Sequence, residues 1–185
     1  YDARHLLSFS IGSGSHMSAD FARFTDLWLA DENNHYVGFR YLYQKITGIK
    51  ATELDHKVKN REISFDEIPF VTDEFTTCVL LAYDEMVTAK AYPLDYAIYD
   101  LLDQKPISQW IRLVCRDEIY HCVNVINILR KNHSRRLGEI PQLIELISKI
   151  SHEAPYSGTF VLDYEGFPPE LLTNAKSAVL KLLHR

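Results

Sequence analysis

Cysteine, proline and glycine are scarce in this chain: three, seven and seven among 185 residues. The cysteines (Cys78, Cys115, Cys122) are odd in number and lie in helical-looking segments. That argues against a disulfide framework and for a reducing, cytoplasmic setting. So little proline and glycine, with 46% hydrophobic residues, excludes a disordered or collagen-like chain. No apolar run is long enough to span a bilayer, and no charged-then-apolar signal segment follows Tyr1. Positive charge is in deficit, 20 Lys+Arg against 25 Asp+Glu, so neither nucleic acid nor membrane is an expected partner. The lone Gly12-Ser13-Gly14 lacks a preceding strand and a third glycine, so it is no dinucleotide fingerprint. The stretch Gly12 to Met17 reads either as a native loop or as a vector-derived junction. Strand patterning is confined to Thr159-Phe160-Val161-Leu162.

What the sequence has is helical periodicity. Phe21, Phe24, Trp28, Glu32, His35, Phe39, Leu42 and Ile46 advance by three and four, the seam of a bundle helix. Asp20 is read as its N-cap and Gly48 as the residue that ends it. A charged stretch, Ile49 to Ile68, reads as a short solvated helix plus loop. A second long helix, about Thr72 to Asp103, carries Phe75, Cys78, Ala82, Glu85, Ala89, Tyr92, Tyr96 and Tyr99 on its seam, with a kink or break expected at Pro93. A third, Ile107 to about Asn132, carries Ile111, Val114, Glu118, His121, Val125 and Ile128. Shorter helices are expected at Leu143 to Ile150 and Glu170 to His184. The fold class is all-α, a helix bundle, with 1–185 as one domain, its core at about 20–132 and C-terminal helices at about 140–185.

Charged residues occupy places on these seams where Phe or Leu belongs: Glu32 and His35, Glu85, then Glu118 and His121. A buried carboxylate costs several kcal/mol unless it is paired or binds a metal. In Glu-x-x-His the two side chains lie on one helical face and can reach the same ion. Two such helices with single glutamates from others build the di-iron sites of helical bundles. Carboxylate and imidazole suit iron or manganese, and no thiolate joins the pattern. The competing reading is a buried structural polar network without metal. A register one residue off would substitute Asp84 for Glu85.

Trp28-Leu-Ala-Asp-Glu32-Asn-Asn-His35 and Arg116-Asp117-Glu118-Ile-Tyr-His121 resemble the paired motifs of the ferritin-like di-iron oxidase and desaturase superfamily, with soluble acyl-carrier-protein desaturases nearest. The resemblance covers about residues 20 to 130. It implies a ferritin-like bundle in which Glu32 and Glu118 bridge two irons, His35 and His121 ligate one each, and Glu85 is a terminal ligand. Thr88 would line the oxygen-binding side as a catalytic residue, and Asp117 would orient His35. Trp28 is read as packing beside the site or relaying electrons. The family's first bundle helix supplies one more glutamate, which by its spacing would fall before Tyr1. Asp2, with His5, is a weaker stand-in for that ligand. Tyr36 departs from the desaturase pattern, which has a small residue there.

The function implied is an O2-dependent non-haem di-iron oxidoreductase of desaturase, hydroxylase or N-oxygenase type. It would use two Fe ions, or Mn, and act on a small or carrier-protein-bound substrate. Electrons would come from an external, ferredoxin-type donor, and a homodimer is compatible with the family. A carrier protein would need a basic docking patch, for which Arg130, Lys131, His133, Arg135 and Arg136 are candidates, although they equally suit a helix C-terminus. The tyrosine stripe Tyr92, Tyr96, Tyr99 reads as core ahead of a radical role. The alternatives are a ferritin-like iron-handling protein and a non-catalytic bundle with an incomplete metal site.

Overall fold

The computed structural model describes residues 16–59, 72–153 and 168–184, and every described element is helical. In chain order these are α1 (Ala19–Thr47), α2 (Ala51–Lys59), α3 (Glu74–Asp100), α4 (Lys105–Asn132), a 3-10 turn (Ser134–Glu139), α5 (Ile140–Glu153) and α6 (Pro169–Leu183). The architecture is thus all-α and compatible with a helical bundle. No described helix is long and apolar enough to cross a membrane. The strand candidate Thr159 to Leu162, the pair Asp2 and His5, and Gly12 to Ser15 lie outside the described residues.

Helix ends show where short-range signals were read well and where they were not. Ser18, not Asp20, caps α1: its hydroxyl accepts from Phe21 N at 3.1 Å. Asp20 sits in the first turn and pairs instead with Arg23 and Lys131. Gly48 closes α1 at φ +74°, a left-handed conformation that glycine adopts without Cβ strain. Asp73 and Thr76 form a reciprocal capping box at the start of α3.

Pro93 does not break α3, which runs through it to Asp100. Proline has no N–H to give the carbonyl of Ala89 four residues earlier. That carbonyl accepts the Cys115 thiol from α4 at 3.4 Å instead. The lost intrahelical bond is replaced across the helix pair, and the helix survives. All three cysteines are buried and free.

α3 is the central element. It is apolar on nearly every side of its first half, as a helix surrounded by others must be. It packs most extensively on α4, then on α6 and α5. Phe75, Ile111, Leu129, Ile144 and Ala175 are fully enclosed at these contacts. α1 lies along α4 and buries Phe21, Phe24, Trp28, His35, Phe39 and Leu42. α2 buries nothing; Asp55 ties it to α1 by accepting from Tyr36 and from Arg40 at 2.8 Å. In the tyrosine stripe, Tyr92 and Tyr99 are core and Tyr96 is half-buried.

A polar knot joins three helix ends. The buried Glu74 carboxylate receives the Ser18 amide, the Ser18 hydroxyl at 2.9 Å and His133 Nε2 at 2.9 Å. The basic cluster considered as a docking patch is largely used up nearby. Lys131 pairs with Asp20, His133 with Glu74, Arg136 with Asp73 and Glu139, and Arg130 donates to the last carbonyls of α6.

Gly38 of α1 sits under the Trp110 ring of α4. A Cβ built there would lie 2.0 Å from Cζ2 of Trp110. Alanine should raise helix propensity by about 1 kcal/mol, but overpacking typically costs about 1–3 kcal/mol. Gly38→Ala is therefore expected to lower the urea unfolding midpoint. In a Trp110→Ala background the same substitution should raise it, because only the propensity gain remains.

Candidate metal centre

Three helices deliver one carboxylate each to a common point. Glu32 on α1, Glu85 on α3, and Glu118 with His121 on α4 offer atoms that all lie within 4.8 Å of one another. The seam arithmetic explains the convergence: each residue replaces an apolar knob that would have faced the same layer of the bundle. Glu85, Glu118, His35 and His121 are buried and Glu32 is half-buried. Asp84 is exposed, so the register that chooses Glu85 is the one the helix adopts.

The imidazoles are arranged as a cross-braced pair. His121 turns Nδ1 toward Glu85 Oε2 and Glu118 Oε2, both at 3.2 Å, and Nε2 toward Asp31 Oδ2 at 3.2 Å. His35 turns Nδ1 toward Glu118 Oε1 at 3.6 Å and Glu32 Oε1 at 3.7 Å, and Nε2 toward Asp117 Oδ2 at 3.5 Å. Each Asp-Glu-x-x-His helix thus supplies the aspartate that faces the other helix's histidine. A carboxylate on Nε2 orients each ring so that its Nδ1 is turned toward the glutamates. Asp117 is the aspartate that faces His35. Asp31 was missed, although the repeated Asp-Glu-x-x-His spacing (Asp31 to His35, Asp117 to His121) carries the signal.

Aromatic donors hold the carboxylates from outside. Trp28 Nε1 donates to Glu85 Oε1 at 2.6 Å, and Tyr92 Oη to Glu118 Oε1 at 3.4 Å. Tyr92 is thus both core, as the stripe predicts, and a donor to the cluster. Thr88 is half-buried one turn beyond Glu85, and the cluster's hydrogen bonds do not include it.

The residues fit a metal centre on one observation above the others. His35 Nδ1 is buried, aimed between two carboxylates, and has no hydrogen-bond partner. Distances of 3.6 and 3.7 Å are too long for hydrogen bonds. They suit donors sharing one ion, since bonds of about 2.0–2.2 Å place adjacent ligand atoms roughly 3 Å or more apart. Glu118 presents one oxygen toward each imidazole, and Glu32 Oε1 lies 3.7 Å from one and 3.9 Å from the other.

Without an ion the cluster is electrostatically overloaded. Burial, followed by the neighbouring Glu118 charge, pushes the Glu32 carboxyl up to about 8. Burial and then Glu85 push Glu118 up to about 8, and burial raises Glu85 as well. Burial alone would lower His121, but its bonds to Glu118 and Glu85 and their charges overcome that and hold it at about 11. All of these groups keep protons more tightly folded than unfolded. The carboxyl contributions are present below their ordinary 4.5 and lost as pH rises through about 8. The His121 contribution is present below 6.5 and lost toward about 11. The melting temperature of chelator-treated protein should therefore fall steadily from pH 5 to pH 8.5. Glu118→Gln should flatten that slope, and a bound divalent metal should flatten it further, as followed by thermal unfolding across pH.

No protein-family model, curated protein or solved structure matches the chain, so its chemistry is argued from the geometry of this cluster.

Proposed function

We propose that the chain is a ferritin-like, non-haem di-iron oxidoreductase that acts with O2 on a small or carrier-tethered substrate. The observation that carries this reading is the cross-braced pair of Asp-Glu-x-x-His helices around three carboxylates, with His35 Nδ1 left waiting for a ligand. Five groups would hold the metal: Glu32, His35, Glu85, Glu118 and His121. Their oxygen and imidazole donors suit iron or manganese. Iron held by these residues would supply the redox chemistry for activating O2, and two electrons per turnover would come from an external donor such as a ferredoxin-type protein.

The remaining work falls to the chain itself. Asp31 and Asp117 keep both imidazoles in one tautomer and one orientation. Glu118 and Glu32 reach toward both imidazoles and would offer their oxygens to metal held beside either one. Phe24, Trp28, Phe39 and Tyr92 keep water from the inner side of the cluster. Tyr92 holds a proton at Oη, 3.4 Å from Glu118 Oε1. Solvent meets the cluster along the α1–α4 edge, where the Asp31, Glu32 and Asp117 side chains are 44%, 32% and 33% exposed. That open edge also favours a second reading, a ferritin-like protein that takes up and oxidises iron as its substrate.

Anaerobic reconstitution with Fe(II), followed by metal analysis and absorption spectra before and after O2, tests both. About two irons per chain are expected, with a visible band reversed by dithionite, and Glu118→Ala should abolish the second equivalent. Failure to retain any iron would sink the proposal and leave a structural polar network. Stoichiometric loading that climbs far beyond two irons, in a large assembly by light scattering, would favour iron handling.

A further inference from the structure

Glu85 differs from the other two carboxylates in how its oxygens are used. Its Oε2 faces His121 Nδ1 at 3.2 Å, inside the cluster. Its Oε1 accepts the Trp28 indole N–H at 2.6 Å, a short bond between buried groups. Glu118, by contrast, meets Tyr92 at a long 3.4 Å on its Oε1, shares a hydrogen bond with Glu85, and turns both of its oxygens toward imidazoles.

Trp28 is itself firmly placed. It is 4% exposed and stacks on Phe24 with centroids 6.1 Å apart and planes 15° apart. Phe24 in turn meets the His121 ring edge-on at 6.4 Å. Indole Nε1–H is a donor only, so it can satisfy a carboxylate but cannot take its place at a metal. Trp28 and Glu85 are both buried, away from the solvent-exposed edge of the cluster, and a donor to a charged acceptor is among the stronger hydrogen bonds.

We propose that Trp28 sets the binding mode of Glu85: the indole holds Oε1, so that Glu85 offers a metal beside His121 one oxygen only. This rests on the metal-centre reading above. A carboxylate that could swing freely would offer both oxygens to one ion and fill a further position around it. With Trp28 in place that position stays open to an exogenous ligand. Trp28 is thus a positioning residue acting through Glu85.

Co(II) is a suitable probe, because its visible absorption reports the number of ligands around it. Wild-type protein and Trp28→Phe are titrated with Co(II) alone, with circular dichroism as the check on folding. The phenyl ring keeps the apolar contact and removes the donor. Trp28→Phe should take up the same number of Co(II) ions with visible extinction lower by on the order of two-fold, as an added oxygen ligand raises the coordination number. An unchanged spectrum in a folded Trp28→Phe protein overturns the proposal. Should that variant fail to fold, the bond is followed in protein carrying Trp28 by 15N-resolved NMR with diamagnetic Zn(II), using Trp110→Phe to assign the indole signal. The Trp28 indole proton should stay downfield and protected from exchange after Zn(II) loading. Its move to a free, rapidly exchanging position would overturn the proposal. Wild-type protein that takes up neither Co(II) nor Zn(II) refutes the metal-centre reading itself, an outcome distinct from either of those.

Discussion

Three carboxylates sharing one buried layer are the constraint around which the described helices are arranged. Glu32, Glu85 and Glu118 come from three different helices, and no two could be ionised side by side in an apolar core without compensation. The compensation is distributed over the helices that create the problem. Asp31 and Asp117 orient His121 and His35 across the α1–α4 pair, and Trp28 and Tyr92 supply donors to α3 and α4 carboxylates. Shifting any one of α1, α3 or α4 along its axis by a residue would separate a carboxylate from its donor. The cluster therefore registers the bundle as well as occupying it.

A second buried carboxylate in the same molecule sets the proposed metal layer in relief. Glu74, equally buried at the meeting of three helix ends, receives the Ser18 amide, the Ser18 hydroxyl and His133. That carboxylate is satisfied by protein donors alone, as a structural polar group should be. The central cluster is not balanced in that way. Its three carboxylates share His121, Trp28 and a distant Tyr92, while His35 Nδ1 faces two of them without bonding to either. The cation proposed for this layer would meet the carboxylates and the unbonded His35 Nδ1 together.

Much of the fold was legible because it depends on spacing alone. Of the residues advancing by three and four from Phe21 to Ile46, and from Ile111 to Ile128, all are buried except Glu32, which is half-buried, and Ile46, which is exposed at the end of its helix. The same periodicity picked out Glu85 over Asp84. Other features depended on which groups meet in space. Ser18 displaced Asp20 as the cap of α1 while also serving Glu74 of α3, a residue 56 positions away. Pro93 left its helix intact because Cys115 of a neighbouring helix took up the orphaned carbonyl. Of the basic residues at and just beyond the end of α4, Lys131, His133 and Arg136 form ion pairs and Arg130 caps α6, contacts that charge composition does not reveal.

The sequence by itself determined an all-helical chain, the helices that carry polar residues in their seams, and the identities of Glu32, His35, Glu85, Glu118 and His121 as the group to watch. It could do so because helical period and the cost of buried charge act locally, on each segment alone. Only the tertiary structure decided how those residues face one another. That Asp31 braces His121 rather than its own His35, that the Trp28 indole claims one oxygen of Glu85, and that Glu118 divides its oxygens between two imidazoles are consequences of how α1, α3 and α4 pack. Periodicity assigns a residue to a face, whereas the crossing of two helices selects the atom it meets.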